Sequence, residues 1–402
     1  MIRLNVWLTL PNGETCLAGE LIASDPEGQK GAIRGEFRYT PAYLDRSDAF
    51  PLDPNALPLT EDVFSANRPK AGVHGVFEDA LPDDWGRRLL VRKYNLPRQE
   101  QRVPDLLAYL GRGLGALSFA FESIGPRADE APLHSLGDLL NAAQAFEVGD
   151  AIEDDVLAQL FQAGSSPGGA RPKALIQDAG IAWIAKFPSV KDQFDVVSVE
   201  AATLQLANNA GIVVPDFRCH PCGERKVLLS KRFDVTGEGR RHVISMQSLL
   251  QADDYYVLGY EDMANILRRF SAQPGHDLQA LYRQMVFNAV IGNTDDHLKN
   301  FSLMHDDQGY QLTPAYDLVP NMAQNREHVL RFGLTASPPT RDELVKIAKQ
   351  YNLQSKQAVT VIDEVANAVS RWEAVFADYE VPPHDVARLK KDIEARLVRC
   401  QS

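Results

Sequence analysis

The chain opens on an alternating pattern, with Ile2, Leu4, Val6 and Leu8 separated by polar or larger residues, which predicts a strand with one buried face. Asn12-Gly13 signals a tight hairpin, residues 15–23 read as its return strand, and residues 31–39 as another. The period then lengthens. Pro82-Asp83-Asp84 suits a helix N-terminus, Leu89, Leu90 and Val91 lie inside that helix, and Asn95-Leu96-Pro97 ends it. Residues 116–122 predict a further strand, and residues 124–136, with Pro126 and Pro132, a connector. Beyond residue 160 a Gly/Ser/Pro loop leads to strands at 174–176 and 181–186. A helix over about 195–210 follows, stopped by Gly211, and then two more strands. After residue 240 the pattern is mostly helical, with Thr340 a cap near the start of the last bundle.

Composition adds limits. The chain of 402 residues is 45% hydrophobic and 24% charged, ordinary values for a globular protein of two to three domains. A net charge of −12 argues against coating nucleic acid unaided. No uncharged apolar run is long enough for a membrane span and no signal-peptide core precedes the first turn, so a cytoplasmic protein is expected, with no membrane partner. Cys16, Cys219, Cys222 and Cys400 do not form a disulfide framework. Cys219-His220-Pro221-Cys222 lacks a second ligand pair for zinc, and a hairpin tip is expected there. Gly111-Arg112-Gly113-Leu114-Gly115 lacks the spacing of a phosphate loop and precedes a strand, so a turn is expected.

The densest chemistry follows a predicted helix containing Met285, Val286, Ala289 and Val290, where Asn293-Thr294-Asp295-Asp296-His297-Leu298-Lys299-Asn300 breaks the apolar run. Strands at 301–304 and 310–312, joined by Asp306-Asp307-Gln308-Gly309, would return the chain and bring Asp317 beside Asn300 and Asp295. A carboxylate five residues before an asparagine can orient a substrate hydroxyl while the amide oxygen holds a metal. A second carboxylate completes a magnesium site. Asp295, Asn300 and Asp317 are therefore the candidate set, and Asp296 is expected only to shape the turn. His297 and His305 raise a rival, a metal-dependent hydrolase, although a carboxylate/amide set suits magnesium better.

Lys186 ends its predicted strand, and Glu200, near the apolar stripe of the next helix, needs a cationic partner that Lys186 could supply. The loop before that strand carries Gly168 and Gly169, whose backbone N–H groups could cradle phosphates.

Five segments, Ser166-Pro-Gly-Gly-Ala-Arg-Pro-Lys173, Ala185-Lys-Phe-Pro188, Val227-Leu-Leu-Ser-Lys-Arg-Phe-Asp234, Asn293-Thr-Asp-Asp-His-Leu-Lys-Asn300 and Ala315-Tyr-Asp-Leu318, together resemble the HipA family of bacterial serine/threonine kinase toxins. Phe77-Glu-Asp-Ala-Leu-Pro-Asp83 extends the resemblance into the first 100 residues. The resemblance implies an α/β (α+β) protein. A β-rich N-terminal domain (1–125) would precede a bilobal kinase domain (140–402), with an N-lobe of about 140–240 and a helical C-lobe of about 241–402.

It further implies ATP and Mg2+ as cofactors and Asp295 as catalytic base, with Asn300 and Asp317 binding the metal. Lys186 would hold the nucleotide phosphates, with Gly168, Gly169, Ala170, Arg171, Pro172 and Lys173 covering them. Lys231, Arg232 and Phe233 would meet the adenine, His297 would sit in the catalytic loop, and Ser166 would be autophosphorylated. The implied partners are a helix-turn-helix, HipB-like antitoxin, DNA only through that antitoxin, and a protein substrate, with glutamyl-tRNA synthetase the first aminoacyl-tRNA synthetase to test. A small-molecule kinase of related fold and a catalytically idle corepressor are the alternatives. Pro167 and Arg171-Pro172 depart from the best-known toxin, and no histidine-arginine pair precedes the base as it does in ordinary kinases.

Overall fold

Leu4, Val6 and Leu8 of β1 (Ile2–Thr9) are wholly buried while their neighbours are not, as the alternation requires. The computed structural model describes residues 1–28, 31–110, 113–121, 135–150, 160, 171–253, 257–323 and 327–401. β1 pairs antiparallel with β2 (Thr15–Ala23) across the Asn12-Gly13 turn, where the Asn12 side chain accepts from Glu14 N at 3.0 Å and Gly13 takes φ +85°. With β3 (Gly35–Tyr39), β4 (Phe64–Ser65) and β5 (Leu117–Ala120) they form an antiparallel sheet ordered β4-β3-β2-β1-β5. The strand expected over 31–39 begins only at Gly35. A Cβ there would lie 1.7 Å from the Gly72 carbonyl oxygen, so only glycine allows that approach.

The helix Asp84–Lys93 starts as expected, with Asp83 accepting from Gly86 N at 3.0 Å, and it buries Trp85, Leu89 and Leu90. The Gly113–Gly115 stretch is a turn. Gly115 N donates to the Asp234 carboxylate at 2.9 Å and Arg240 donates to Gly113 O at 3.2 Å. β6 (Lys173–Asp178) and β7 (Ile181–Lys186) pair antiparallel around Ala179 and Gly180, both in the left-handed region as a two-residue hairpin turn demands.

The chain divides into two compact units, one of residues 1–187, 232–254 and 304–307, the other of residues 188–231, 255–303 and 308–402. In the second, Asp195 caps the helix Val196–Asn209, which is buried on nearly every side and includes Glu200. β8 (Phe217–Cys222) and β9 (Arg225–Lys231) form a hairpin. Cys219 and Cys222 therefore lie within a strand, with the tip at Gly223-Glu224 rather than at the cysteines, and both thiols are free. β10 (His242–Ser245) belongs to the first unit and is fully buried.

The helix Pro274–Ile291 is the apolar centre of the second unit and packs against the helices Tyr260–Phe270, Ser355–Val369 and Pro383–Gln401. After it come β11 (Ser302–Asp306) and β12 (Gly309–Leu312), and Thr313 N donates to Ser302 O at 3.0 Å, which closes the return. Thr340 caps the helix Arg341–Ile347 in a reciprocal box with Glu343. Among the described residues no helix is long and apolar enough to cross a membrane.

Candidate active site

The helix Pro274–Ile291 stops because Gly292 takes the left-handed conformation, φ +79°. The next residues are irregular and are fixed by side chains. Asn293 donates to Asn288 Oδ1 at 3.1 Å, Asn321 N donates to Gly292 O at 2.8 Å, and Val329 N donates to Thr294 O at 3.2 Å. The Asn321 side chain also donates to the Thr294 hydroxyl. The loop holding Asp295 is thus pinned to the chain that follows Asp317.

Within this frame Asp295 is exposed and Asn300 is buried, at the end of the short 3-10 turn Leu298–Asn300. The Asn300 Nδ2 donates to Asp295 O at 2.9 Å, which identifies the other amide atom as oxygen. That Oδ1 is buried and meets no hydrogen-bond donor among the described residues. An unsatisfied buried acceptor costs about 1–3 kcal/mol, and a cation removes the cost.

Asp317, half-buried, sits at φ +56°, a conformation aspartate tolerates better than bulkier residues. Its neighbour Tyr316 donates its hydroxyl to Lys299 O at 2.8 Å and shares a 2.7 Å hydrogen bond with Ser302 Oγ. Those contacts draw the Asp317 segment against the turn ending at Asn300. The Asp295 carboxyl is held above the usual carboxylate range, mainly by desolvation, with Asp317 and Asp296 adding to the rise and His297 opposing it. Asp295 is thus bonded to Asn300 through its backbone and sits within the electrostatic reach of Asp317.

An amide oxygen and a carboxylate are hard donors that suit magnesium, which commonly takes one or two protein ligands and completes its shell with phosphate and water. Among the described residues no group of three or more His, Cys, Asp or Glu could hold a metal ion. His305, half of the rival histidine reading, is stacked on Phe50 with ring centroids 3.6 Å apart.

The remaining expected residues are placed as follows. Lys186 is half-buried at the end of β7, opposite Lys173. Lys173 is only 1% exposed and pairs with the Asp83 carboxylate. Arg171 is half-buried, and Pro172 O accepts from Phe187 N at 2.9 Å. Lys231 is bonded to Asp216 through both its backbone N–H (2.8 Å) and its ammonium (2.9 Å). Arg232 N donates to Ala182 O at 2.9 Å, while its guanidinium forms a buried pair with Asp234 at 2.5 Å. Full burial opposes ionisation of Asp234, yet Arg232 holds its carboxyl below the usual range. Phe233 O accepts from Arg241 at 2.9 Å. Ser166, Gly168, Gly169 and Ala170 lie outside the described residues.

One expectation is corrected. Asp296 does more than shape a turn: it is wholly buried and accepts from the Tyr260 hydroxyl at 2.6 Å and from His328 Nδ1 at 2.9 Å. The sequence carried a faint signal of this, since Asn288 interrupts an otherwise apolar run from Met285 to Ile291. Its distant partner His328, and Arg396 beyond that ring, carried none.

The HipA N-terminal domain matches residues 16–120, and the HipA-like C-terminal domain matches residues 165–372. The chain belongs to the HipA family. The chain is similar to the protein named "Putative kinase Y4mE" of Sinorhizobium fredii, 26% identical over 92% of this chain and 91% of that one. A second, "Putative kinase Y4dM" of the same organism, is 30% identical over 50% of this chain and 53% of its own. Among solved structures, the HipA of Shewanella oneidensis MR-1, determined as a complex of HipA, HipB and operator DNA, superposes with a TM-score of 0.71. That likeness, at 19% identity, covers 99% of this chain and 97% of the other, and it shows the bilobal kinase-like HipA fold.

Proposed function

We propose that this chain is an ATP- and magnesium-dependent serine/threonine protein kinase acting as the toxin of a toxin–antitoxin pair. The observation that carries the reading is the buried, unpartnered Asn300 Oδ1, set beside Asp295 in a segment tied to that of Asp317. Bound Mg2+-ATP supplies the transferable phosphoryl group and the cation that offsets its charge. Asn300 and Asp317 hold the metal. Asp295 accepts the proton of the substrate hydroxyl, and the upward shift of its carboxyl, mainly by desolvation, makes it a stronger base than an ordinary aspartate. Lys186 steadies the nucleotide phosphates with Arg171 and Pro172, His297 lines the catalytic loop, and backbone groups of Lys231, Arg232 and Phe233 meet the adenine; Lys173, buried against Asp83, takes no part.

The remaining parts of the proposal follow the family. The chain is cytoplasmic, with a kinase domain over 140–402 after an N-terminal domain over 1–125. A HipB-like antitoxin brings it to DNA, since a net charge of −12 gives little counterion release on its own. It phosphorylates a protein hydroxyl, with an aminoacyl-tRNA synthetase the first candidate, and its own Ser166. Incubating the purified chain with labelled ATP, magnesium and bacterial lysate tests this directly. Label in a protein band, absent with Asp295→Asn, supports the reading. Label only in small molecules makes it a small-molecule kinase, and no transfer at all leaves an idle corepressor.

A further inference from the structure

Asp296 follows the proposed base directly in sequence, and it is the most heavily bonded carboxylate of the loop. Its Oδ2 accepts from Tyr260 and His328, while its Oδ1 accepts from Val329 N at 2.9 Å and Leu330 N at 3.3 Å. The second ring nitrogen of His328, Nε2, lies 3.1 Å from Arg396 Nη1. A guanidinium has no lone pair to offer, so Nε2 is the acceptor, the ring proton is on Nδ1, and the imidazole is neutral. Arg396 also donates to Ala289 O at 3.2 Å and to Asp392 at 2.6 Å. Tyr260 accepts from Asn288 at 3.0 Å, and Asn288 in turn accepts from Asn293. One continuous network therefore joins the helix before the loop, the loop itself, residues 328–330 and the last helix.

We propose that Asp296 and His328 act as a pair of positioning residues for Asp295, with neutral His328 linking the Asp296 carboxylate to the Arg396 guanidinium. The proposal rests on Asp295 being the base. Adjacent side chains on an irregular segment diverge, so anchoring Asp296 inward by four donors fixes the outward aim of Asp295. The same carboxylate holds residues 329 and 330, so the base and the segment beyond Asp317 are set as one piece. Burial of a charge is tolerable here because donors fill its lone pairs and a guanidinium lies one imidazole away.

Histidine-selective 15N labelling of the full chain reads the tautomer. Of the nine histidines, the one whose signal is lost in His328→Asn is expected to carry its proton on Nδ1. A His328 protonated on Nε2 overturns the link whether or not the chain is a kinase.

Steady-state kinetics reads the positioning. Asp296→Asn and His328→Leu should lower turnover about 10²-fold, with KM for ATP changed less than about twofold. His328→Asn, whose amide can still donate to Asp296, should recover part of the loss. Unchanged turnover per nucleotide-binding molecule, with only the melting temperature lowered, overturns the positioning role. If His328→Leu does not fold, Tyr260→Phe removes a single donor and should show a smaller loss with the same split. A wild-type chain that transfers no phosphate removes Asp295 as base, and the positioning role falls with it, while the tautomer result stands by itself.

Discussion

Asn300 donates its side-chain N–H to the Asp295 carbonyl at 2.9 Å, while its own amide oxygen is buried and meets no donor among the described residues. One side chain thus fixes the backbone of the proposed base and presents a ligand oxygen, two tasks that mutation can separate. Asn300→Ala loses both. Asn300→Asp keeps an oxygen for the metal but cannot donate to the Asp295 carbonyl, and it sets two acceptors against each other. Calorimetry with and without magnesium should find the magnesium-dependent gain in ATP affinity abolished in Asn300→Ala and retained in Asn300→Asp. Turnover should fall in both. Equal magnesium gains in the wild type and Asn300→Ala would remove Asn300 from the metal site.

The two neighbouring aspartates should fail in different ways. Asp295→Asn removes a proton acceptor from an exposed position, so turnover should drop about 10²–10⁴-fold while nucleotide binding and melting temperature persist. Asp296→Asn leaves one oxygen for four donors in a fully buried site, so it should destabilise the fold by about 1–3 kcal/mol or more. Urea melts of both variants check this. An Asp296→Asn protein as stable as wild type would show that the buried network tolerates an amide.

The pattern of the chain carried most of the fold, because the elements around the site depend on local signals. Alternation marked β1, Asn12-Gly13 its turn, Thr340 a helix cap, and the acidic turn after β11 the return that carries the chain toward Asp317. What the sequence hid was set by pairing between distant residues. Lys173 looked like a phosphate-covering lysine, but its burial against Asp83 depends on a partner 90 positions away. His328 and Arg396, 32 and 100 positions beyond Asp296, look like surface residues until the last helix packs (buried through Leu389, Ile393, Arg396 and Cys400). The Cys219/Cys222 spacing misled in the opposite sense, since the turn residues that follow it set the hairpin tip.

Acid should loosen the first unit. Burial pushes His74, His242 and His305 down to about 4 each, with Arg68 adding to the effect on His74. The unfolded rings keep a value near 6.5 and bind protons that the folded rings refuse. Stability from this source is complete above about pH 6.5 and falls as pH drops toward 4, by up to about 1.4 kcal/mol per unit for each histidine. Denaturant melts between those limits should slope accordingly, and His242→Gln should flatten the slope. A pH-independent midpoint would show that these rings are not the acid-sensitive groups.

Gly292 offers the sharpest local test of the loop's anchorage. Its left-handed φ of +79° ends the helix Pro274–Ile291, and a Cβ there would lie 3.0 Å from both Arg396 Nε and Asp392 Oδ2. Gly292→Ala therefore meets two costs, the left-handed backbone at about 1–2 kcal/mol and displacement of the Arg396–Asp392 pair. Gly223 provides the comparison, since it sits at φ +63° with nothing within 4 Å of a Cβ, and its alanine variant meets only the first. Melts should rank Gly292→Ala below Gly223→Ala. Adding Arg396→Ala to Gly292→Ala should cost less than the two single changes predict, because the displaced guanidinium is then already gone. Strict additivity in that double-mutant cycle would mean that Arg396 yields freely to a methyl group, and the anchorage of the loop through the last helix would have to be abandoned.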